Sequence, residues 1–158
     1  MTSSTYAIAI GSNRRGRHGG PVAEVRAAIA TLAGVHAVAP IMASAPLGPS
    51  LRRYANTVVL LDSDLSPLEL LAQLKAIERG FGRRRGRRWG SRVIDLDIVL
   101  WSGGSWYGRG LCVPHVAFRD RDFVLRPLCR IAPAWRDPVG GRTIRQLHQL
   151  VDRARPRD

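Results

Sequence analysis

Long hydrophobic runs are missing from this sequence. No apolar stretch approaches the ~20 residues that span a bilayer, so no membrane-spanning helix is expected. The opening residues Met1 to Thr5 carry neither a basic region nor an apolar stretch, and do not read as a signal peptide. Cysteine is scarce. Cys112 and Cys129 form no CxxC pair and no zinc-ligand spacing, so reduced thiols in a cytoplasmic setting are expected. Internal repeats and linker-like stretches are absent, and a single domain over residues 1–158 is expected. There is no GxGxxG fingerprint and no local signature of a Ser-His-Asp or Cys-His nucleophile. Acidic residues are few, 12 against 25 basic ones, and lysine occurs once, at Lys75.

What is present is an ordinary globular balance of 45% apolar and 23% charged residues. That excludes disordered, collagen-like and coiled-coil chains. A chain of 158 residues buries roughly 70% of its unfolded surface and builds its own core. The net charge of +13 favours anionic partners such as nucleic acid, acidic membrane or phosphate-bearing small molecules. An arginine-rich genomic composition explains the total equally well, so position has to decide. Between Arg79 and Arg92 stand seven arginines and no acid, interleaved with Gly80, Gly82, Gly86 and Gly90. Glycine at that density breaks regular structure, which predicts a basic loop with Trp89 inside it.

The flanking pattern predicts the elements. Tyr6–Ile10 reads as a buried strand and Pro21–Ala33 as a helix ended by Gly34. His36–Ser44 and Tyr54–Leu61 read as strands around a Pro/Gly loop at Ala45–Arg53. Ser66-Pro67-Leu68-Glu69 is a helix start with a capping box, followed by a stripe of Leu71, Leu74, Ile77 and Phe81. Val93–Trp101 is the strongest strand, closed by a turn at Ser102-Gly103-Gly104. The order β-α-β-β-α-β predicts an α+β, ferredoxin-like sandwich, with a mostly antiparallel sheet and helices packed on one face. A short apolar segment at Phe123–Cys129 and an extra helix at Thr143–Arg153 follow.

The sharpest chemical feature is Asp95-Leu96-Asp97. On a strand the two carboxylates share a face, ~6.6 Å apart along the chain. Ile94, Leu96, Ile98 and Leu100 take the other face, and Val93 and Val99 flank the acids. Two such anions repel and lose hydration, so they either bind a cation such as Mg²⁺ or pair with the nearby arginines. Carboxylates beside an arginine loop are the equipment of phosphoryl transfer, with metal on one side of the phosphates and guanidinium on the other. Pro114-His115, Arg119, Arg121 and Phe123 form a third cluster, in which His115 reads equally as a phosphate donor or a structural histidine. His18, His36 and His148 read as surface or packing residues. Gly11 to His18 mimics a phosphate loop, but Arg17 and His18 stand where lysine and Ser or Thr belong.

These segments, in order, carry a resemblance. Gly11-Ser12-Asn13, Pro46-Leu47-Gly48-Pro49, Tyr54-Ala55-Asn56, Arg88-Trp89-Gly90-Ser91-Arg92, Asp95-Leu96-Asp97, Pro114-His115 and Arg121-Asp122-Phe123-Val124-Leu125 resemble the 6-hydroxymethyl-7,8-dihydropterin pyrophosphokinase family. The likeness runs from about Tyr6 to Leu150. It implies transfer of pyrophosphate from ATP to the hydroxymethyl oxygen of the dihydropterin, releasing AMP, in folate biosynthesis. By the resemblance, Asp95 and Asp97 ligate two Mg²⁺ ions, and one of them helps take the hydroxyl proton. Arg83 and Arg92 match the catalytic-loop arginines, acting with Asp97. Glu78, Arg85, Arg88, Trp89, Arg92, Ile98, His115 and Arg121 match positions around ATP. Tyr54 and Phe123 match the aromatics that sandwich the pterin, Asn56 its hydrogen-bonding partner, and Ser44 and Leu47 positions whose backbone does the same. Asp95 also borders the pterin. Departures from the family pattern stand at Lys75, Ala55, Gly110, Cys112 and Val116, and bear on nucleotide affinity rather than reaction class.

The expected partners are ATP and the dihydropterin, for a cytoplasmic monomer with no nucleic-acid or membrane partner. Two alternatives use the same features: a ferredoxin-like RNA-binding module, suggested by the fold and the charge, and a two-metal nuclease, suggested by the paired aspartates. No strand carries the aromatic pattern with which the former reads bases.

Overall fold

The computed structural model describes residues 3–43, 54–82 and 93–154. Its elements run β1 (Ser4–Ser12), α1 (Pro21–Thr31), β2 (Val35–Val38), β3 (Met42–Ala43), β4 (Ala55–Ser63), α2 (Pro67–Gly80), β5 (Asp95–Trp101), β6 (Trp106–Gly108), β7 (Leu111–Val113), a 3-10 turn (Phe118–Asp120), α3 (Asp122–Ile131) and α4 (Ile144–Arg153). The main sheet has the order β2-β4-β1-β5, with β3 also on β4, and every pairing is antiparallel. The ferredoxin-like order is therefore present, with β3 as an extra short strand.

The centre of the sheet comes from its most apolar segments. β1 pairs along its whole length with β4, from Ser4 opposite Ser63 to Ser12 opposite Ala55. The strand expected over His36–Ser44 divides in two, β2 and β3. Pro40 lies in the gap, and a residue without an N–H cannot continue a ladder. Helix α2 starts as expected. The Ser66 hydroxyl accepts from Glu69 N–H at 3.3 Å, and the Glu69 carboxylate accepts from Ser66 N–H at 3.1 Å. Its buried face runs through Leu70, Leu74 and Glu78 and on to Phe81, whereas Leu71 and Ile77 sit at the margin. The true stripe is thus turned toward β5 and includes an acid that a hydrophobicity pattern passes over.

Helices cover both faces of the sheet, not one. Tyr6, Ile8, Ile10, Leu96 and Ile98 pack with Val25 and Ala28 of α1 and Leu70 and Leu74 of α2. On the opposite face Ala7, Val58, Val99 and Leu100 pack with Val124, Leu125 and Leu128 of α3 and Ile144 and Leu147 of α4. The apolar segment at Phe123–Cys129 is therefore a helix. Pro127 lies inside it and withholds one intrahelical bond, which makes the sequence read as something shorter. Thr143 is the N-cap of α4 rather than its first residue.

A β-bulge corrects the face expected for Leu100. Ile8 lies opposite Ile98, but the next residue of β1, Ala7, lies opposite Leu100, so Val99 has no opposite number. An extra residue reverses the alternation beyond it, and Leu100 joins the α3 side while Leu96 and Ile98 stay with α2. The bulged Val99 also offers its carbonyl to His115 N–H at 3.0 Å. The hairpin β6–β7 was not anticipated. Its turn, Arg109-Gly110, has φ of 49° and 76°, the left-handed pair that a two-residue hairpin demands, which accounts for glycine at 110.

An ion pair between half-buried Arg119 and buried Asp137 closes the α3–α4 side. Arg119 donates from Nε to Asp137 Oδ2 at 2.5 Å and from Nη2 to Oδ1 at 2.8 Å. The Arg119 bonds hold the Asp137 carboxyl below its ordinary range. A carboxyl with a depressed folded pKa stabilises the fold above its unfolded value, and that contribution disappears as pH falls through the folded one. Thermal unfolding temperatures should therefore drop as the pH falls below the ordinary carboxylate range, and Asp137→Asn should flatten part of that slope.

Candidate active site

The site lies where β1, β4 and β5 reach the same end of the sheet. Gly11 has Asn56 on one side and Asp95 on the other, and Ala9 likewise stands between Val58 and Asp97. Two small residues on the central strand leave the floor hollow. A Cβ added at Gly11 would come within 2.8 Å of Asn56 Oδ1, so glycine lets the Asn56 amide lie across β1. The first turn of α3 and the residue before it stand over this floor and supply Arg121, Phe123 and Val124.

Two adjoining cavities result. One of about 410 Å³ is lined by Gly11, Ser12, Asn13, Tyr54, Asn56, Asp95 and Phe123. The other, about 190 Å³, is lined by residues that include Asp95, Asp97, Arg121 and Phe123. Gly11, Asn56, Asp95 and Phe123 border both. Tyr54 and Phe123 are 44% and 42% exposed, large apolar rings left open in a cleft. The Arg121 guanidinium lies 5.6 Å from the centroid of the Phe123 ring. The structure thus brings together Tyr54, Asn56, Phe123, Asp95, Asp97 and Arg121, which are scattered over the sequence. Gly11, Ser12 and Asn13 join them. The Gly-Ser-Asn triplet is visible in the sequence as a motif, but only its place in the sheet brings it to the cleft.

Asp95 and Asp97 meet the same cavity, as strand alternation requires. Oxygen donors of this kind suit Mg²⁺, which keeps waters and substrate phosphates in its shell. Among the described residues no group of three or more His, Cys, Asp or Glu is placed to hold a metal. Two carboxylates with room before them fit the chemistry of such an ion.

The remaining predicted residues divide. Ser44, Leu47, Arg83, Arg85, Arg88, Trp89 and Arg92 lie outside the described residues. Ile98 is 2% exposed, belongs to the core and lines neither cavity. His115 lines neither cavity; its Nδ1 accepts from Ala117 N–H at 3.2 Å, so in the neutral ring the hydrogen is on Nε2. Glu78 lines neither cavity. Its Oε1 accepts at 2.9 Å from the N–H of Leu96, the residue between the two aspartates, and Lys75 Nζ stands 3.7 Å from Oε2. Glu78 thereby satisfies an amide on the outer side of an edge strand. Glu78→Ala should cost about 1–3 kcal/mol by orphaning that buried donor, while Glu78→Gln should recover most of it; denaturant unfolding measures both.

The loop after β1 is not a phosphate cradle. Gly16 and Gly19 bridge to each other, and His18 donates its N–H to Glu24 Oε1 at 2.6 Å while its Nδ1 lies 2.8 Å from Oε2. The Glu24 side chain is fully buried. An internal carboxylate occupies the place an anion would take, and His18 is its partner.

The family model described as 7,8-dihydro-6-hydroxymethylpterin-pyrophosphokinase matches residues 7–133. The chain belongs to this pyrophosphokinase family. It is 40% identical over 134 residues to the 2-amino-4-hydroxy-6-hydroxymethyldihydropteridine pyrophosphokinase of Haemophilus influenzae, with 81% of each chain covered. The pyrophosphokinases of that name from Pseudomonas aeruginosa and Synechocystis are 45% identical over 116 and 109 residues. Those matches cover 73% and 69% of this chain, and 69% and 56% of the relatives. Among solved structures, wild-type HPPK-DHPS of Plasmodium falciparum with pteroate superposes with a TM-score of 0.72 at 12% identity, over 94% of this chain and 44% of that one. That likeness concerns the fold. The chain therefore spans little more than half of the Synechocystis pyrophosphokinase and less than half of the Plasmodium protein. Tyr54, Asn56, Asp95, Asp97 and Phe123, which carried the resemblance in the sequence, are among the residues around the two cavities.

Proposed function

We propose that this chain transfers the pyrophosphoryl group of ATP to the hydroxymethyl oxygen of 6-hydroxymethyl-7,8-dihydropterin and releases AMP, as a single-domain cytoplasmic enzyme of folate synthesis. The observation that carries this reading is the shared wall of the two cavities. The larger one has two aromatic faces and an amide, which suit a flat ring with a polar rim. The smaller one has two carboxylates and a guanidinium, which suit a metal-bound polyphosphate. Asp95 borders both, so the two substrates meet there.

In the reaction the hydroxymethyl oxygen forms a bond to the β-phosphorus of ATP. The bond from that phosphorus to the oxygen shared with the α-phosphate breaks, its electron pair leaving on AMP, and the hydroxyl proton passes to a carboxylate of the Asp95–Asp97 pair. Asp95 and Asp97 would hold two Mg²⁺ ions, which supply charge neutralisation to the phosphate oxygens. Arg121 balances negative charge from the α3 side. Tyr54 and Phe123 align the pterin, and Asn56 hydrogen-bonds its edge. His115 Nε2–H offers a further donor to the nucleotide. Holding both reactants in line supplies much of the rate enhancement.

The test is product analysis with ATP, Mg²⁺ and the dihydropterin alcohol. AMP together with the pyrophosphorylated pterin supports the assignment; ADP, or no product, rejects it. The RNA-binding alternative loses its surface. The sheet face that such a module would offer to bases is covered here by α3 and α4, with Ala7, Val58 and Val99 buried beneath them.

A further inference from the structure

His115, Arg121 and Phe123 all sit on or beside one connection, between β7 and α3. Its regular structure is a single 3-10 turn, Phe118–Asp120. Local bonds shape it: Phe118 N–H reaches His115 C=O at 3.2 Å, and Arg121 N–H reaches Phe118 C=O at 3.3 Å. Helix α3 then begins on Arg121, whose carbonyl accepts from Val124 at 3.0 Å and Leu125 at 2.9 Å. A stretch with so few bonds needs outside anchors to hold a direction.

It has two. The Phe118 side chain is fully buried in the second core. Arg119 lies with its guanidinium 4.7 Å over the Phe118 ring and forks onto Asp137, a carboxylate only 1% exposed. Asp137 is itself immobilised. Its Oδ1 accepts from Val139 N–H at 3.0 Å, its own N–H bonds Arg142 C=O at 2.8 Å, and its carbonyl accepts from Gly141 at 2.8 Å. The same loop is tied to the start of α4 by Ile144 N–H on Trp135 C=O at 2.9 Å. The planar fork therefore bolts the 3-10 turn to a rigid loop, in a geometry that a lysine point charge cannot reproduce.

We propose that Arg119 is a positioning residue for both substrates: through Asp137 it holds the turn that aims Arg121 and Phe123 into the cleft. Arg119 lines neither cavity, so it acts through its neighbours. The proposal rests on the assignment of Arg121 to ATP and Phe123 to the pterin. It has a signature of its own. Arg121 and Phe123 leave the same turn, so loosening the turn disturbs both substrates together, whereas removing either side chain disturbs chiefly one. A displacement on the order of 1 Å in a positioned group can cost up to about 100-fold in rate.

The experiment is steady-state AMP formation by the full chain carrying Arg119→Ala, Arg119→Lys or Asp137→Asn, beside Arg121→Ala and Phe123→Ala, with thermal unfolding of each. KM is independent of the fraction of protein that is folded, whereas the apparent kcat is not. Arg119→Lys and Asp137→Asn retain a partner for the buried group and serve if Arg119→Ala does not fold. The expected result is a rise in KM for ATP and for the pterin in every Arg119 and Asp137 variant that folds, with kcat/KM down about tenfold or more, and Arg119→Lys milder than Arg119→Ala. Unchanged KM values with only a lower apparent kcat or unfolding temperature would make the pair merely structural and overturn the proposal. If Arg121→Ala and Phe123→Ala also leave both KM values unchanged, the assignment of those two residues fails, and the proposal falls with it.

Discussion

Asp97→Ala should lower AMP formation by about a thousandfold or more, since a metal ligand in phosphoryl transfer supplies several kcal/mol of charge stabilisation. The same change should leave the protein folded. Asp97 is half-buried near the cavity end of β5, and its backbone pairing with Ala9 does not depend on the side chain. Removing one of two neighbouring carboxylates also relieves repulsion in the absence of ligand, so the unfolding temperature should hold or rise slightly. Asp97→Asn keeps the shape and loses the charge, and should be nearly as inactive. Product analysis and thermal unfolding on the same preparations check both halves. Near-normal turnover by a folded Asp97→Ala would remove the metal role from this strand.

Phe123→Ala is the second large effect, and it should be selective. Stacking of a heteroaromatic ring on one aromatic face is worth about 1–3 kcal/mol, so the KM for the pterin should rise by about five- to a hundredfold. Little stability should be lost. The ring is 42% exposed, and alanine is the better helix former in the first turn of α3. The KM for ATP should change far less, because the 5.6 Å contact of Arg121 with the ring is a weak one. Tyr54→Ala should act in the same direction. Should either substitution raise the KM for ATP and spare the pterin, the two cavities have been assigned the wrong way round.

Much of this was legible in the residues. Alternation along a strand alone places Asp95 and Asp97 on one face. Ser66, Pro67 and Glu69 announce the start of α2, and the succession of apolar runs announces the order of the elements along the chain. These features depend on neighbours within a few positions, which a sequence displays directly. Others were misread for local reasons. Pro40 split a strand, Pro127 disguised a helix, and the bulge at Val99 sent Leu100 to the opposite face.

The sequence by itself determined which side chains carry carboxylate, guanidinium and aromatic faces, and that the two aspartates share a strand face. Only the tertiary structure decided what supports them. Glu78 holds the amide between the aspartates from 18 residues away, Asp137 anchors Arg119 across a separation of 18, and Glu24 fills the loop that imitated a phosphate site. Each contact joins elements whose meeting is set by sheet register and by the layering of helices on both faces. Periodicity along a chain records which face a residue takes, but not which distant residue waits there.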